Sequence, residues 1–267
     1  MDLGLENATV VVAGGTTGMG RAAAECFAAD GARVAVLARN RAALDATAAA
    51  LTELGSPDAI GVSVDLFDGE GVDAAIGEIG ARWGHLNALV NAGGPMDGGL
   101  KSFETYTDEE WRRVFDGLAL SSVRTCRAAL PWLRTADWAR IVNVSAMSTK
   151  RQSPPLIAYT AAKSALTSLT KNLAQTLAPD GILVNTVSPG TFVSESFKAA
   201  LAEMPGVDEN DLVDVMRFIG EGFGHHVFLD RAADPREIGP VIAFVASARN
   251  TYMTGANINV DGGSDFA

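Results

Sequence analysis

Tyr159 and Lys163 lie four residues apart in Ala158-Tyr159-Thr160-Ala161-Ala162-Lys163, inside a stretch that reads as a long helix. At about 3.6 residues per turn, positions i and i+4 share one helix face. A phenol is a poor acid at neutral pH, with an ordinary pKa of about 10. An ammonium held beside it favours the phenolate, so the hydroxyl can give up or accept a proton. Taken alone, the pair also suits an exposed helix surface. The elements around it decide between the two.

Those elements alternate along the whole chain. Thr9–Ala13, Arg33–Ala38, Ile60–Val64, Ala88–Asn91, Arg140–Val144, Leu183–Ser188 and Asn257–Val260 read as strands. Most are almost continuously apolar, as strands covered on both faces are. Helical stripes fall between them: Val72, Ile76, Ile79 and Trp83 form one, and Leu166, Leu169, Leu173 and Leu177 another. Gly31 and Gly181 follow as helix stops. The alternation predicts an α/β fold, a doubly wound parallel sheet with right-handed crossovers. No linker or repeat divides the 267 residues, so one domain over 1–267 is expected. One segment breaks the rhythm: residues 191–234 are long, mix apolar and acidic side chains and carry His225 and His226. Excursions of that length tend to be lids or binding loops.

Composition narrows the function. With 48% hydrophobic and 20% charged residues the chain is an ordinary globular protein. A formal charge of −11 argues against binding nucleic acid or an anionic membrane through bulk electrostatics. No apolar run suggests a membrane span. Met1-Asp2-Leu3-Gly4-Leu5-Glu6 has neither a basic start nor an apolar core, so no signal peptide is expected and the cytoplasm is the default. Cys26 and Cys126 fall among apolar neighbours and read as buried free thiols. The adjacent histidines lack a matching carboxylate spacing, and no metal site is expected.

The first strand runs into Gly14-Gly15-Thr16-Thr17-Gly18-Met19-Gly20 and then a helix with Met19, Ala23, Cys26 and Phe27 on one side. Glycines let the backbone approach a pyrophosphate, and the helix amides and dipole stabilise the anion. Placed between first strand and first helix, the loop predicts a dinucleotide site. The second strand ends in Ala38-Arg39-Asn40 without the carboxylate that accepts a ribose 2′-hydroxyl in NAD sites. Arg39 suits a 2′-phosphate, and Thr16 adds a hydroxyl. NADP(H) is therefore favoured over NAD(H).

The spacing Gly-x-x-x-Gly-x-Gly at Gly14, Gly18 and Gly20 resembles that of the short-chain dehydrogenase/reductase family in its one-domain, Rossmann-like form. Asn91-Ala92-Gly93, Tyr159-x-x-x-Lys163, Ser188-Pro189-Gly190 and the stretch from Tyr252-Met253-Thr254-Gly255 to Val260-Asp261-Gly262-Gly263 are similar to further family motifs, in the same order. The resemblance implies cofactor contacts from Gly14, Thr16, Thr17, Gly18, Met19, Gly20, Arg39 and Asn40. It adds Asp65 and Leu66 beside the adenine, then Asn91, Ala92 and Gly93. Tyr159, Lys163, Pro189, Gly190, Phe192 and Ser194 complete the set. It also implies hydride transfer between the nicotinamide and a carbonyl or secondary alcohol, as in a ketoreductase, with Tyr159 as acid/base and Lys163 lowering its pKa.

Two departures stand out. The family places a Ser thirteen residues before the Tyr, as a donor to the charged oxygen; here that position is Ala146. Ser145 is one residue early and Ser148 two late, and a one-residue register change would bring Ser145 into place. The triad Ser145, Tyr159 and Lys163 is the expectation, with Ser148 as the other choice. Where the family often has a relay Asn, this chain has Gly117-Leu118-Ala119. An impaired nucleotide-binding sensor or scaffold is the alternative. By analogy, the faces of 111–133 and 166–177 would pair subunits in a homodimer or homotetramer.

Overall fold

The computed structural model describes residues 2–94 and 101–264. Seven strands form one parallel sheet in the order β3-β2-β1-β4-β5-β6-β7. They are β1 (Thr9–Ala13), β2 (Arg33–Ala38), β3 (Ala59–Ser63), β4 (Ala88–Asn91), β5 (Ala139–Val144), β6 (Ile182–Pro189) and β7 (Asn257–Val260). The expected strands all appear, with ends moved by a residue at β3, β5 and β6. The order reverses between β1 and β4, which opens a crevice at the carboxyl ends of those strands.

Helices cover both faces. α1 (Gly18–Ala29) and α2 (Arg41–Glu53) pack on one side, and α3 (Gly69–Trp83) on the other. α4 (Asp108–Phe115) leads through a π-helical turn at Asp116–Leu120 into α5 (Ser121–Leu133). Then come α6 (Ile157–Leu177), α7 (Glu195–Ala202), α8 (Leu212–Phe223) and α9 (Gly239–Val245). Strand alternation divides the core in two. Val10, Val12, Val34, Val36, Val142 and Val144 meet α1, α2 and α9, while Val11, Ala35, Leu37, Leu89 and Ile141 meet α3, α5 and α6. The α3 stripe of Val72, Ile76, Ile79 and Trp83 is buried as expected. Gly31 and Gly181 end their helices with φ of +78° and +72°.

The 191–234 excursion holds α7 and α8 around its own small cluster of Val193, Leu201, Val215, Met216, Val227 and Ala232. Its two ends meet where Phe192 bridges Ala233. No described helix is long and apolar enough to cross a membrane. Cys126 is a buried free thiol, whereas Cys26 is only half-buried, which corrects one of the two thiol expectations.

The contact of α1 with α9 is close enough to test. A Cβ on Gly239 would stand 2.7 Å from Ala22 O, a backbone atom that cannot swing aside. Gly239→Ala is expected to destabilise the protein by about 1–3 kcal/mol through overpacking, read as a lower urea midpoint at unchanged slope.

Candidate active site

Strand register sets the stage. Ala13 pairs with Asn91, Asn91 with Asn143 and Asn143 with Thr186, a row crossing four strands. One residue past that row stand Gly14, Ala92, Val144 and Val187. Lys163 reaches this edge from α6: its Nζ donates to Val144 O at 2.8 Å. The same Nζ lies 5.8 Å from the Tyr159 ring centroid, so helix spacing does put phenol and amine together. The ring packs among Val114, Leu118, Ala158 and Ala162. Leu118, in the segment where the family often has a relay Asn, belongs to this apolar cluster.

Those neighbours reverse one expectation. Burial pushes the Tyr159 phenol up to about 12 and the Lys163 amine down to about 8. The lysine does not lower the phenol here, because each group's charged form is starved of water and the amine is tied to a neutral carbonyl. The amine is still mostly charged at neutral pH, but it gives up that charge well below the pH at which the phenol titrates.

The glycine loop faces the same edge. Gly14 has φ +78°, and a Cβ there would stand 2.5 Å from Gly93 Cα. A Cβ on Gly20 would stand 2.3 Å from Gly14 O. The loop is therefore pressed flat against β4's end. Thr17 precedes α1 without a side-chain cap bond, so the first amides of that helix stay open to an anion. Leu66 Cδ1 lies 3.1 Å from the Cβ position of Gly93, and Ser194 Cβ lies 3.3 Å from that of Gly18. Glycine loop, Gly93, Leu66 and Ser194 thus border one groove. An uncapped helix end over a floor without Cβ atoms fits a dinucleotide's pyrophosphate.

Other expected contacts have side chains engaged elsewhere. Asn91 joins a buried network: Nδ2 donates to Asn143 Oδ1 at 2.8 Å, and Oδ1 accepts from Thr125 Oγ1 at 2.6 Å. Its side chain ties β4 to β5 and α5. Asn40 caps α2 by accepting from Ala43 N, and Asp65 accepts from Phe67 N within its own turn. Gly190 N donates to Val260 O. Arg39 is exposed at the end of β2, and its guanidinium bonds to none of the described residues. Pro189 ends β6 within the core of the sheet, and Phe192 packs partly buried against the core beside β7.

Ser145 needs a correction. Its N–H continues the ladder to Val187 O, so no register change occurs. Its Oγ donates to Lys163 O at 3.1 Å and sits 3.0 Å from Thr167 Oγ1. The hydroxyl proton is held by the α6 backbone rather than offered beside Tyr159. Alternation explains the direction: Asn143, two residues earlier, also faces α6 and donates to Thr170 Oγ1. That signal was readable in the sequence. Ser148 is buried in a 3₁₀ turn, where its Oγ accepts from Thr160 Oγ1 at 3.0 Å and keeps its own proton. Among the described residues, no cluster of His, Cys, Asp and Glu is placed to hold a metal ion.

The family model described as enoyl-(acyl carrier protein) reductase matches residues 13–265. An uncharacterised oxidoreductase, YvrD of Bacillus subtilis, is 30% identical over 98% of each chain. The chain belongs to the short-chain dehydrogenase/reductase family. Meso-2,3-butanediol dehydrogenase of Serratia marcescens is 32% identical, covering 97% of this chain and 95% of its own. L-sorbose reductase of Gluconobacter frateurii, solved with NADPH and L-sorbose, superposes with a TM-score of 0.89 over 100% of both chains at 28% identity. As a short-chain dehydrogenase/reductase, the protein is a nicotinamide-dependent oxidoreductase of alcohol or ketone substrates.

The depressed Lys163 value has a consequence for stability. The folded amine titrates near about 8 against an ordinary 10.5. Between those values the unfolded chain binds more protons, so this contribution to stability rises with pH. Compared with Lys163→Met, wild-type unfolding free energy is expected to gain about 2 kcal/mol between about pH 7.5 and about pH 10, measured by urea denaturation at both pH values.

Proposed function

We propose that the protein is an NADP(H)-dependent carbonyl reductase, or the reverse alcohol dehydrogenase, with Tyr159 as acid/base. The observation that carries this reading is the placement of Tyr159 and Lys163 at the carboxyl edge of the sheet. Lys163 donates to Val144 O, one residue past the strand row at which β1 turns into the glycine loop, and the Tyr159 ring lies beside it. Bound nicotinamide supplies or accepts the hydride. Tyr159 gives its proton to the oxygen of the reduced carbon. Lys163, whose Nζ donates to Val144 O, would hold the ribose hydroxyls of the bound cofactor and stabilise the phenolate left behind. Ser148, which retains a free proton, replaces Ser145 as the donor beside the developing oxyanion. Arg39 takes the 2′-phosphate, with Thr16 beside it in the glycine loop. The 191–234 excursion covers a small carbonyl or alcohol substrate. Apolar faces on α4–α5 and α6 pair subunits, and the cytoplasm is the site of action.

The assay follows NADPH absorbance with L-sorbose and 2,3-butanedione as probes. Tyr159→Phe is expected to lower turnover by about 10³-fold while NADPH affinity stays unchanged; retained activity removes Tyr159 as the acid. Tight NADPH binding with no oxidation across a wide ketone panel favours the sensor reading instead.

Two further substitutions separate the finer roles. Ser148→Ala is expected to reduce kcat by about 10²-fold, and Ser145→Ala by much less; equal losses contradict the assignment. Arg39→Asp is expected to lower the NADPH/NADH ratio of kcat/KM by about tenfold or more. An unchanged ratio removes the 2′-phosphate contact.

A further inference from the structure

Arg151 lies midway in the loop that connects β5 to α6 and therefore leads into Tyr159. Its guanidinium has no carboxylate partner among the described residues. It reaches three backbone carbonyls instead: Nη1 donates to His226 O at 3.3 Å and Ser264 O at 3.2 Å, and Nη2 to Gly224 O at 3.3 Å. These acceptors come from two other parts of the chain. Gly224, at φ +63°, closes α8, and Ser264 follows β7. A carbonyl just past a helix end carries the negative pole of the helix, which suits a cation. Neither neighbouring histidine does this work. His225 Nε2 is buried without a partner among the described residues, and the His226 ring packs back on α8 at Gly220.

We infer that Arg151 is a positioning residue, latching the end of the 191–234 excursion and the carboxyl-terminal segment onto the loop that enters Tyr159. The latch sets the depth and closure of the substrate pocket. The inference rests on the reading of that excursion as the substrate cover. A planar fork serves carbonyls on two segments at once; a single ammonium reaches fewer of them. Removing the latch loosens substrate binding and leaves the glycine-loop part of the cofactor groove, over β1 and β4, intact.

The test compares wild type with Arg151→Met and Arg151→Lys, using 2,3-butanedione and NADPH together with amide hydrogen exchange of the free enzyme. In the Met variant, KM for the dione is expected to rise about tenfold with kcat within about threefold, the pattern of lost binding rather than lost chemistry. NADPH affinity should change far less than KM for the dione, since the glycine loop lies outside the latched segment. Exchange in residues 195–226 should quicken about tenfold, with the sheet unaffected. Lysine should restore at most part of both effects. Wild-type KM and exchange in the Met variant overturn the inference, as does full restoration by lysine. If the Met variant exchanges faster throughout the sheet, the Lys variant decides: a wild-type KM in it also overturns the latch. Exchange requires no substrate, so a wild-type protein inactive on the dione counts against the proposed reaction and leaves the latch testable.

Discussion

The hydrogen bond from Lys163 Nζ to Val144 O is the contact on which the arrangement depends. It brings a buried amine to the level of the sheet where the glycine loop begins, and it anchors α6 so that the Tyr159 ring, one turn earlier, lies 5.8 Å from that amine. A buried ammonium costs several kcal/mol unless polar groups replace its water. One carbonyl compensates only partly, and the amine's value falls to about 8. The lysine is thereby poised between neutral and charged forms, and further oxygen acceptors brought beside it favour the charged one. Tyr159, held at about 12 by burial, lies 5.8 Å from this amine.

The rest of the fold serves this level. Parallel pairing stops β1 and β4 in one row, at Ala13 and Asn91, while β5 and β6 run on past it, and the reversal between β1 and β4 opens the crevice there. Buried polar side chains hold the row in register: Asn91, Asn143, Thr125 and Thr170 link β4, β5, α5 and α6. Such a network is stable because each member finds a partner. It also explains why a residue at a strand end beside a cofactor groove can be structural rather than in contact with the ligand.

Much of this was legible in the residues. Buried parallel strands are apolar on both faces, so their runs stood out, and Gly31 and Gly181 marked helix ends by their need for positive φ. That Tyr159 and Lys163 share a helix face followed from periodicity, and the surrounding motifs gave the pair its chemical meaning. Side-chain direction was harder. Ser145 and Ala146 differ by one position, and in a strand one step changes the face; the alternation begun at Asn143 was the clue. The expected effect of Lys163 on Tyr159 assumed a free ammonium, whereas the fold buries both groups and ties the amine to a carbonyl. Asn40 went to a helix cap, a local use that competes with any ligand contact. Arg151 offered no motif at all, because its acceptors are backbone atoms more than seventy residues away.

The most direct measurement of the central claim is the titration of the Tyr159 ring by ¹³C NMR, in the protein alone and saturated with oxidised nicotinamide dinucleotide. Without it, the phenol should titrate near about 12. With it, the value should fall clearly, because Lys163 turns to new acceptors as a full cation and the oxidised ring adds positive charge nearby. A phenol that titrates at the same pH in both states contradicts the account.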